Sequence, residues 1–211
     1  MPLLRTVEAR NLAEHHYLRA GHRCHYFYDY HAGQGRTSSP GNRLIAELKR
    51  PVAQRGLPHY CYKEYAIVLA AALLKQVLLQ HAWLLPIVTV CPIPPSRIKG
   101  DAQHDDRMAQ IAALACRGTP ARACELIVQR LNGLAAHTLA PGERPGPAAL
   151  MASYRLQAQP RAIVVLLDDV LTTGAHFVAA RRLIQASYPR TCVVGLFIAR
   201  RVLAQRPAGQ G

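Results

Sequence analysis

The chain has 211 residues, half of them apolar, which suffices for one sizeable core with an added lobe and excludes an intrinsically disordered protein. Its 26 Lys and Arg against 12 Asp and Glu leave a formal charge of +14, which suits anionic ligands such as diphosphates and suits nucleic acid equally well. Six cysteines without a regular framework exclude a disulfide scaffold and point to a reducing compartment. The N-terminal run Met-Pro-Leu-Leu-Arg-Thr-Val-Glu does not read as a secretory signal, so a cytoplasmic location is expected.

Residues 1–20 read as a short amphipathic helix with charged ends. Residues 21–31 gather four of the chain's 12 Phe and Tyr, namely Tyr26, Phe27, Tyr28 and Tyr30. Their alternation predicts a strand, either packed on a helix or offering a stacking surface for a base. His22-x-Cys24 and His59-x-Cys61 supply four ligands, enough to close a tetrahedral zinc site, although isolated His and Cys usually serve packing. Ala32 to Asn42 is turn-rich, and a helix through Arg43–Arg50 ends at Pro51. Tyr62 to His81 reads as one long helix, apolar on most faces. Its most apolar stretch, Ala66 to Leu85, is broken by Lys75, Gln76, Gln80 and His81, which argues for burial and against a membrane span. Ile87 to Cys91 is a short β-branched strand that opens into a proline-rich basic loop, Pro92 to Asp101. A helix follows at Arg107–Cys116. Residues 117–160 are less patterned: Glu125–Leu131 fits helix or strand, and Pro141–Pro147 is a loop. His176 to Ala186 is a helix with Phe177, Val178, Leu183 and Ile184 inward, and Thr191 to Ile198 is the last buried strand.

The chemistry concentrates in residues 162–176. Ile163 to Leu167 is an unbroken apolar run, as in a strand buried on both faces. Asp168 and Asp169 follow at once, then Thr172-Thr173-Gly174 and a helix from Ala175. Ligands of open α/β sheets bind at the carboxyl ends of strands. Backbone N–H groups at a helix start attract a phosphate, and Gly174 permits close approach. Paired carboxylates accept hydrogen bonds from neighbouring hydroxyls or hold Mg²⁺ through water. A ribose 5-phosphate carries both features. If the sheet is parallel, the Pro92–Asp101 loop lies on the same edge as this one.

The run Val165-Leu166-Leu167-Asp168-Asp169-Val170-Leu171-Thr172-Thr173-Gly174-Ala175 resembles the phosphoribosyl-diphosphate (PRPP) signature of type I phosphoribosyltransferases. The resemblance implies that Asp168 and Asp169 bind the ribose hydroxyls, with Mg²⁺ through water, and that Val170, Leu171, Thr172, Thr173, Gly174, Ala175 and His176 form the PRPP loop. His176 stands where the family usually has Thr or Ser. Thr172 stands where purine-salvage members carry an acid, which fits orotate-like or ComF-like members better. Pro92-Ile93-Pro94 resembles the Pro-x-Pro element of ComF-like proteins. It implies diphosphate contacts from Pro94, Pro95, Ser96, Arg97, Lys99 and Arg107. Arg43 to Pro51 resembles the ComF stretch before the first core helix. The ComF Arg-Gly-Phe-Asn-Gln element is replaced by His104–Gln110, and the ComF Cys-x-x-Cys zinc module is absent.

The implied fold is α/β of the type I phosphoribosyltransferase kind, a mostly parallel sheet flanked by helices. Residues 61–211 are expected to form the core and residues 1–60 an N-terminal hood, because little chain follows Ile198. The implied reaction transfers the 5-phosphoribosyl group to a small-molecule nitrogen acceptor with Mg²⁺ and release of diphosphate. Asp168, Asp169 and Arg97 are the catalytic candidates, and Arg130, Arg144 and Arg155 are candidates on a closing loop. The alternative is a ComF-like non-catalytic or regulatory protein that binds PRPP or nucleic acid, linked to DNA uptake or nucleotide sensing. No membrane partner is expected, and a homodimer is among the assemblies the sequence admits.

Overall fold

The computed structural model describes residues 2–130 and 144–203. In chain order the elements are β1 (Arg5–Thr6), β2 (Cys24–His31), α1 (Pro40–Leu48), α2 (Cys61–Gln80), β3 (Val88–Pro92), α3 (Arg107–Cys116), β4 (Arg122–Ala123), β5 (Ile127–Gln129), α4 (Pro147–Ser153), β6 (Tyr154–Leu156), β7 (Ile163–Leu171), α5 (Ala175–Ser187) and β8 (Cys192–Val202), with short 3-10 turns between some of them. Six strands form one sheet in the order β1-β2-β8-β7-β3-β4. Every neighbouring pair is parallel except β1 with β2. β5 and β6 make a separate antiparallel pair. The fold is therefore α/β, with a mostly parallel sheet and helices on both faces. Among the described residues, no helix is long and apolar enough to cross a membrane.

The apolar run that marked β7 explains its place. A strand with neighbours on both sides and helices on both faces must be apolar throughout. From Val164 to Leu167 its side chains alternate between two cores, as the pleat demands, and beyond the acids Val170 joins the core of Leu167. Val164 and Leu166 pack with Phe177, Val178 and Ile184 of α5. Leu167 and Val170 pack with Ile67 and Leu74 of α2 and Met108 and Ile111 of α3. Each fully buried Leu or Val contributes about 1.5–3 kcal/mol of transfer free energy. β3 lies directly beside β7, with Pro92 opposite Leu167. The loop leaving β3 thus starts next to the acidic pair, on the ligand edge that the parallel sheet implies.

Three expectations are corrected. Residues 1–20 form no amphipathic helix, only β1 and a 3-10 turn at Ala9–Glu14 that buries nothing. Their apolar residues do not share one helical face, and Val7 and Leu18 are buried from extended segments instead. Residues 1–60 are not a lobe apart from the sheet, because Cys24–His31 pairs in parallel with Gly195–Val202 along β8. The aromatic run is thereby consumed in packing: Tyr26 and Phe27 are buried, one in each core, while Tyr28 and Tyr30 remain half-buried. Finally, β7 and β8 each continue four residues past the apolar run. The added ladder positions Asp168 to Leu171 pair with Phe197 to Arg200. In the 117–160 region, the ambiguous Glu125–Leu131 segment contains β5.

α1 is held against β2 by an unusually close approach. Ser39 caps it by accepting from the Asn42 N–H at 3.0 Å. Asn42 bonds the backbone of His31 in both directions at 2.9 Å. A Cβ on Gly41 would lie 2.3 Å from the Asp29 carbonyl oxygen and 2.8 Å from Tyr28 Cβ. Gly41→Ala is therefore expected to cost about 2–3 kcal/mol, since backbone on both sides must move apart. Urea unfolding of the variant checks this, and an unchanged midpoint would contradict the close packing.

Candidate functional site

The site begins where β7 ends. Because β7 runs on through both acids, the pleat turns neighbouring carboxylates to opposite faces. Asp169 points to the side of α1 and α3. Its Oδ2 takes Arg107 Nη2 at 2.6 Å and Lys49 Nζ at 3.5 Å. The other arm of the Arg107 guanidinium holds Asp105 Oδ2 at 2.6 Å. Asp105 in turn receives Lys63 Nζ at 2.6 Å, and Lys63 also donates to the Arg50 carbonyl at 2.8 Å. A chain of alternating charge therefore runs from α2 through the start of α3 to β7. Burial by itself would raise the Asp169 pKa, but the charges of Arg107 and then Lys49 outweigh it and hold the group below the ordinary carboxylate range. Arg107 is likewise opposed by burial and held charged by Asp169 and Asp105.

Asp168 has the opposite environment. Its Oδ1 accepts the Asp169 N–H at 2.8 Å. Among the described residues it has no ion pair, and Phe177 and Phe197 stand beside it. Burial first, then the charge of Asp169, push its pKa up to about 7. One acid is thus secured as a carboxylate, and the other, with no ion pair of its own among the described residues, feels Arg107 and Lys49 too weakly to offset its burial. Two titratable groups with environments driven apart are a recurring mark of functional sites.

After β7 the chain turns at Gly174, whose φ of +84° is a conformation that glycine adopts without strain, and α5 starts at Ala175. The turn is backed by the N-terminal segment. His15 Nδ1 donates to the Thr172 carbonyl, and Tyr17 N–H donates to the Thr173 carbonyl at 3.1 Å. Leu18 lies so close to Gly174 that a Cβ there would come within 2.7 Å. Between Asp168 and the turn is a cavity of about 10 Å³, room for about one water. A phosphate needs several times that volume, so binding one requires His176 and its neighbours to move outward. His176 is exposed, and its Nδ1 meets the buried Tyr154 hydroxyl at 2.8 Å. Burial, then the nearby Asp168 charge, raise the Tyr154 pKa, so the hydroxyl keeps its proton.

A larger cavity of about 320 Å³ opens on the other side of Asp168. The β3 loop contributes Pro94, Pro95, Arg97 and Lys99, and the start of α3 contributes Arg107. The β5–β6 pair contributes Gln129, Arg130, Arg155 and Gln157. The proposed diphosphate residues therefore fall around one cavity with Asp168, except Ser96, which is exposed outside its lining. Arg97 is exposed, with Asp101 Oδ2 at 3.7 Å, and Lys99 is paired with Glu125. Arg107 is engaged by two carboxylates. Of the closing-loop candidates, Arg130 and Arg155 line the cavity, and Arg144 is exposed near His176. Residues 131–143 of that loop lie outside the described residues.

The sequence reading missed Lys49, Lys63 and Asp105, and it saw the β5–β6 region only as ambiguous. No local periodicity marks ion pairs between residues 42 or more positions apart, such as Lys63 with Asp105. The His/Cys quartet does not converge. Cys24 is sealed in β2, His22 stacks edge-on to Phe177, and His59 bonds Gln54. Among the described residues no three His, Cys, Asp or Glu side chains group as a metal site. Mg²⁺ needs less: one or two carboxylates plus ligand phosphates and water complete its octahedron. Asp168, beside the 320 Å³ cavity and without an ion pair among the described residues, fits that requirement.

Compared with known proteins, the sequence matches no family model and no curated sequence.

An acid whose folded pKa exceeds its unfolded value weakens the fold as pH rises above the unfolded value, and does so fully above the folded one. For Asp168 the cost is complete above about pH 7 and fades as pH falls toward 4. Asp168→Asn keeps the acceptor for the Asp169 N–H and removes the charge. At about pH 8 it should be more stable than the parent by about 1–2 kcal/mol, roughly 3–6 °C in Tm, with a smaller gap at about pH 5. A variant less stable at both pH values would show the carboxylate to be already compensated.

Proposed function

We propose that this protein binds PRPP and transfers its 5-phosphoribosyl group to a nitrogen nucleophile, releasing diphosphate. The observation that carries the reading is Asp168, without an ion pair among the described residues, set between the Thr172–Ala175 turn and a cavity where Arg97, Lys99, Arg107, Arg130 and Arg155 stand among Asp105, Asp106 and Glu125. That order suits a ligand with a phosphate at one end, a diol in the middle and a diphosphate at the other.

In this reading Asp168 accepts hydrogen bonds from the ribose hydroxyls. Asp169, kept ionised by Arg107 and Lys49, adds negative charge as the anomeric carbon becomes cationic. The N–H groups of the first turn of α5 hold the 5-phosphate once His176 swings away. Arg97 and Lys99 offer the charge that the departing diphosphate needs, Arg as a fork and Lys as a point charge. Mg²⁺ held by Asp168 and the diphosphate would neutralise charge on the leaving group. Arg130 and Arg155 approach the same cavity from the β5–β6 pair, where closure would exclude the water that otherwise intercepts a ribosyl cation. The acceptor is a small nitrogen base.

A ComF-like reading, in which the protein binds PRPP or single-stranded nucleic acid without catalysis, is favoured by the charge of +14 and the cations around the cavity mouth. Isothermal titration with PRPP and Mg²⁺ tests the primary reading. Saturable binding abolished in Asp168→Ala/Asp169→Ala supports the site, and no heat at millimolar PRPP overturns it. Diphosphate release across a panel of nucleobases then separates catalysis from sensing. Asp169→Asn is expected to lower turnover at least tenfold while far-UV circular dichroism stays unchanged. Near-normal turnover would remove Asp169 from the mechanism. Binding to arbitrary single-stranded DNA that weakens steeply with salt, without use of any base, would favour the ComF-like alternative.

A further inference from the structure

α2 is apolar on most faces, with Lys63, Glu64, Lys75, Gln76 and Gln80 as its polar side chains, and only one side of it is packed. Ala66, Ile67, Ala70, Leu73, Leu74 and Leu78 are buried in the core formed with α3 and the sheet. On the opposite side Tyr62, Tyr65, Leu69, Ala72, Gln76 and Leu79 are exposed. Tyr65 is 73% exposed and Leu79 54%. These six follow one another at steps of 3, 4, 3, 4 and 3 residues, the spacing of the seam of two packed helices. Trp83, four residues past Leu79 in the turn after α2, is 79% exposed. A helix with apolar residues on two opposite sides calls for cover on both, and the fold covers only one.

We propose that this face pairs with the same face of a second copy of the chain, α2 against α2, antiparallel about a two-fold axis at Ala72. Three observations support a second copy as the occupant. First, a two-fold axis at Ala72 sets Tyr65 of each copy against Leu79 of the other, an isologous contact between apolar side chains, and the small central side chain lets two helices approach at their crossing point. Second, the exposed parts of Tyr62, Tyr65, Leu69, Leu79 and Trp83 amount to an apolar surface on the order of 600 Å², approaching the ~800 Å² that a standard interface takes from each partner. Third, none of the seam residues is charged, in a chain with 26 Lys and Arg, and Lys75 stands at its margin beside Ala72 and Leu79. Two copies of net charge +14 repel, and pairing through α2 keeps most of their basic side chains out of the contact. Gln76, the one amide in the seam, falls beside Leu69 of the other copy, where a polar group fixes register. The ligand edge stays open, because α2 packs by its other side and the seam faces away from the core.

Sedimentation velocity of the full chain from about 1 to 100 μM tests the pairing. The expected result is a species of twice 23.2 kDa at the upper concentrations. Leu69→Glu with Leu79→Glu changes side chains already exposed in the single copy. The pair is expected to shift the species to 23.2 kDa without altering far-UV circular dichroism. Ala72→Cys in a Cys192→Ser background should cross-link to a dimer on mild oxidation, and Glu64→Cys, off the seam, should not. A monomer at 100 μM, a dimer indifferent to the two glutamates, or equal cross-linking from both cysteines would each overturn the proposal. So would co-sedimentation with anionic vesicles that the same double substitution abolishes, which would assign the face to a membrane surface instead.

Discussion

The contact on which the site depends is the forked pairing of Arg107 with Asp169 and Asp105. It ties the first residue of α3 to the carboxyl end of β7, and Lys63 extends the tie to α2. Taking such charges out of water costs several kcal/mol per ion, and only good geometry with further hydrogen bonds offsets it. Here the guanidinium has a carboxylate on each arm, and Asp169 has a second cation in Lys49. The arrangement holds the β3 loop between two anchored elements. It also fixes the protonation of one acid while leaving its neighbour without an ion pair of its own among the described residues.

That asymmetry is what separates the acidic pair from a structural ion pair. A carboxylate placed beside aromatic rings and another carboxylate weakens the folded state, and a chain selected only for stability would not retain it. The turn at Gly174 shows a related tension. Its backbone is supported from behind by His15, Tyr17 and Leu18, while the space in front is smaller than the anion it is suited to receive. The elements that would move on binding are side chains such as His176, while the strand and the turn stay supported.

Much of this was legible in the sequence, and the pattern of success has a physical cause. The strand at Ile163, the strand before Pro92 and the helix at Arg107–Cys116 are specified by continuous local runs, so periodicity locates them. The glycine turn and the acids follow directly from their position after a buried strand. The N-terminal third misled because its residues are stabilised by partners far along the chain. Cys24–His31 is a strand of the main sheet through its pairing with β8, which no local pattern reports. The polar end of β8 was invisible for the same reason. Arg200 and Asp29 make acceptable strand residues only because they pair with one another, with Glu14 beside them. Asp105 and Lys63 likewise become readable only once α2 and α3 are side by side.

The insertion of β8 between β2 and β7 bears on how the molecule assembles. The partners Cys24 and Gly195 are about 170 residues apart, and β8 is the last strand described. During synthesis β2 therefore emerges early and has only the two-residue β1 as a neighbour until β8 is available. Its unpaired backbone and its row of tyrosines are exposed for that interval, the kind of surface that recruits chaperones or a second nascent chain. Loop closure over that span makes the β2–β8 ladder a late event, and the Tyr26–Arg200 contact forms only when it zips. The segment that braces the Gly174 turn is attached to β2, so the ligand edge becomes complete only with the final folding step.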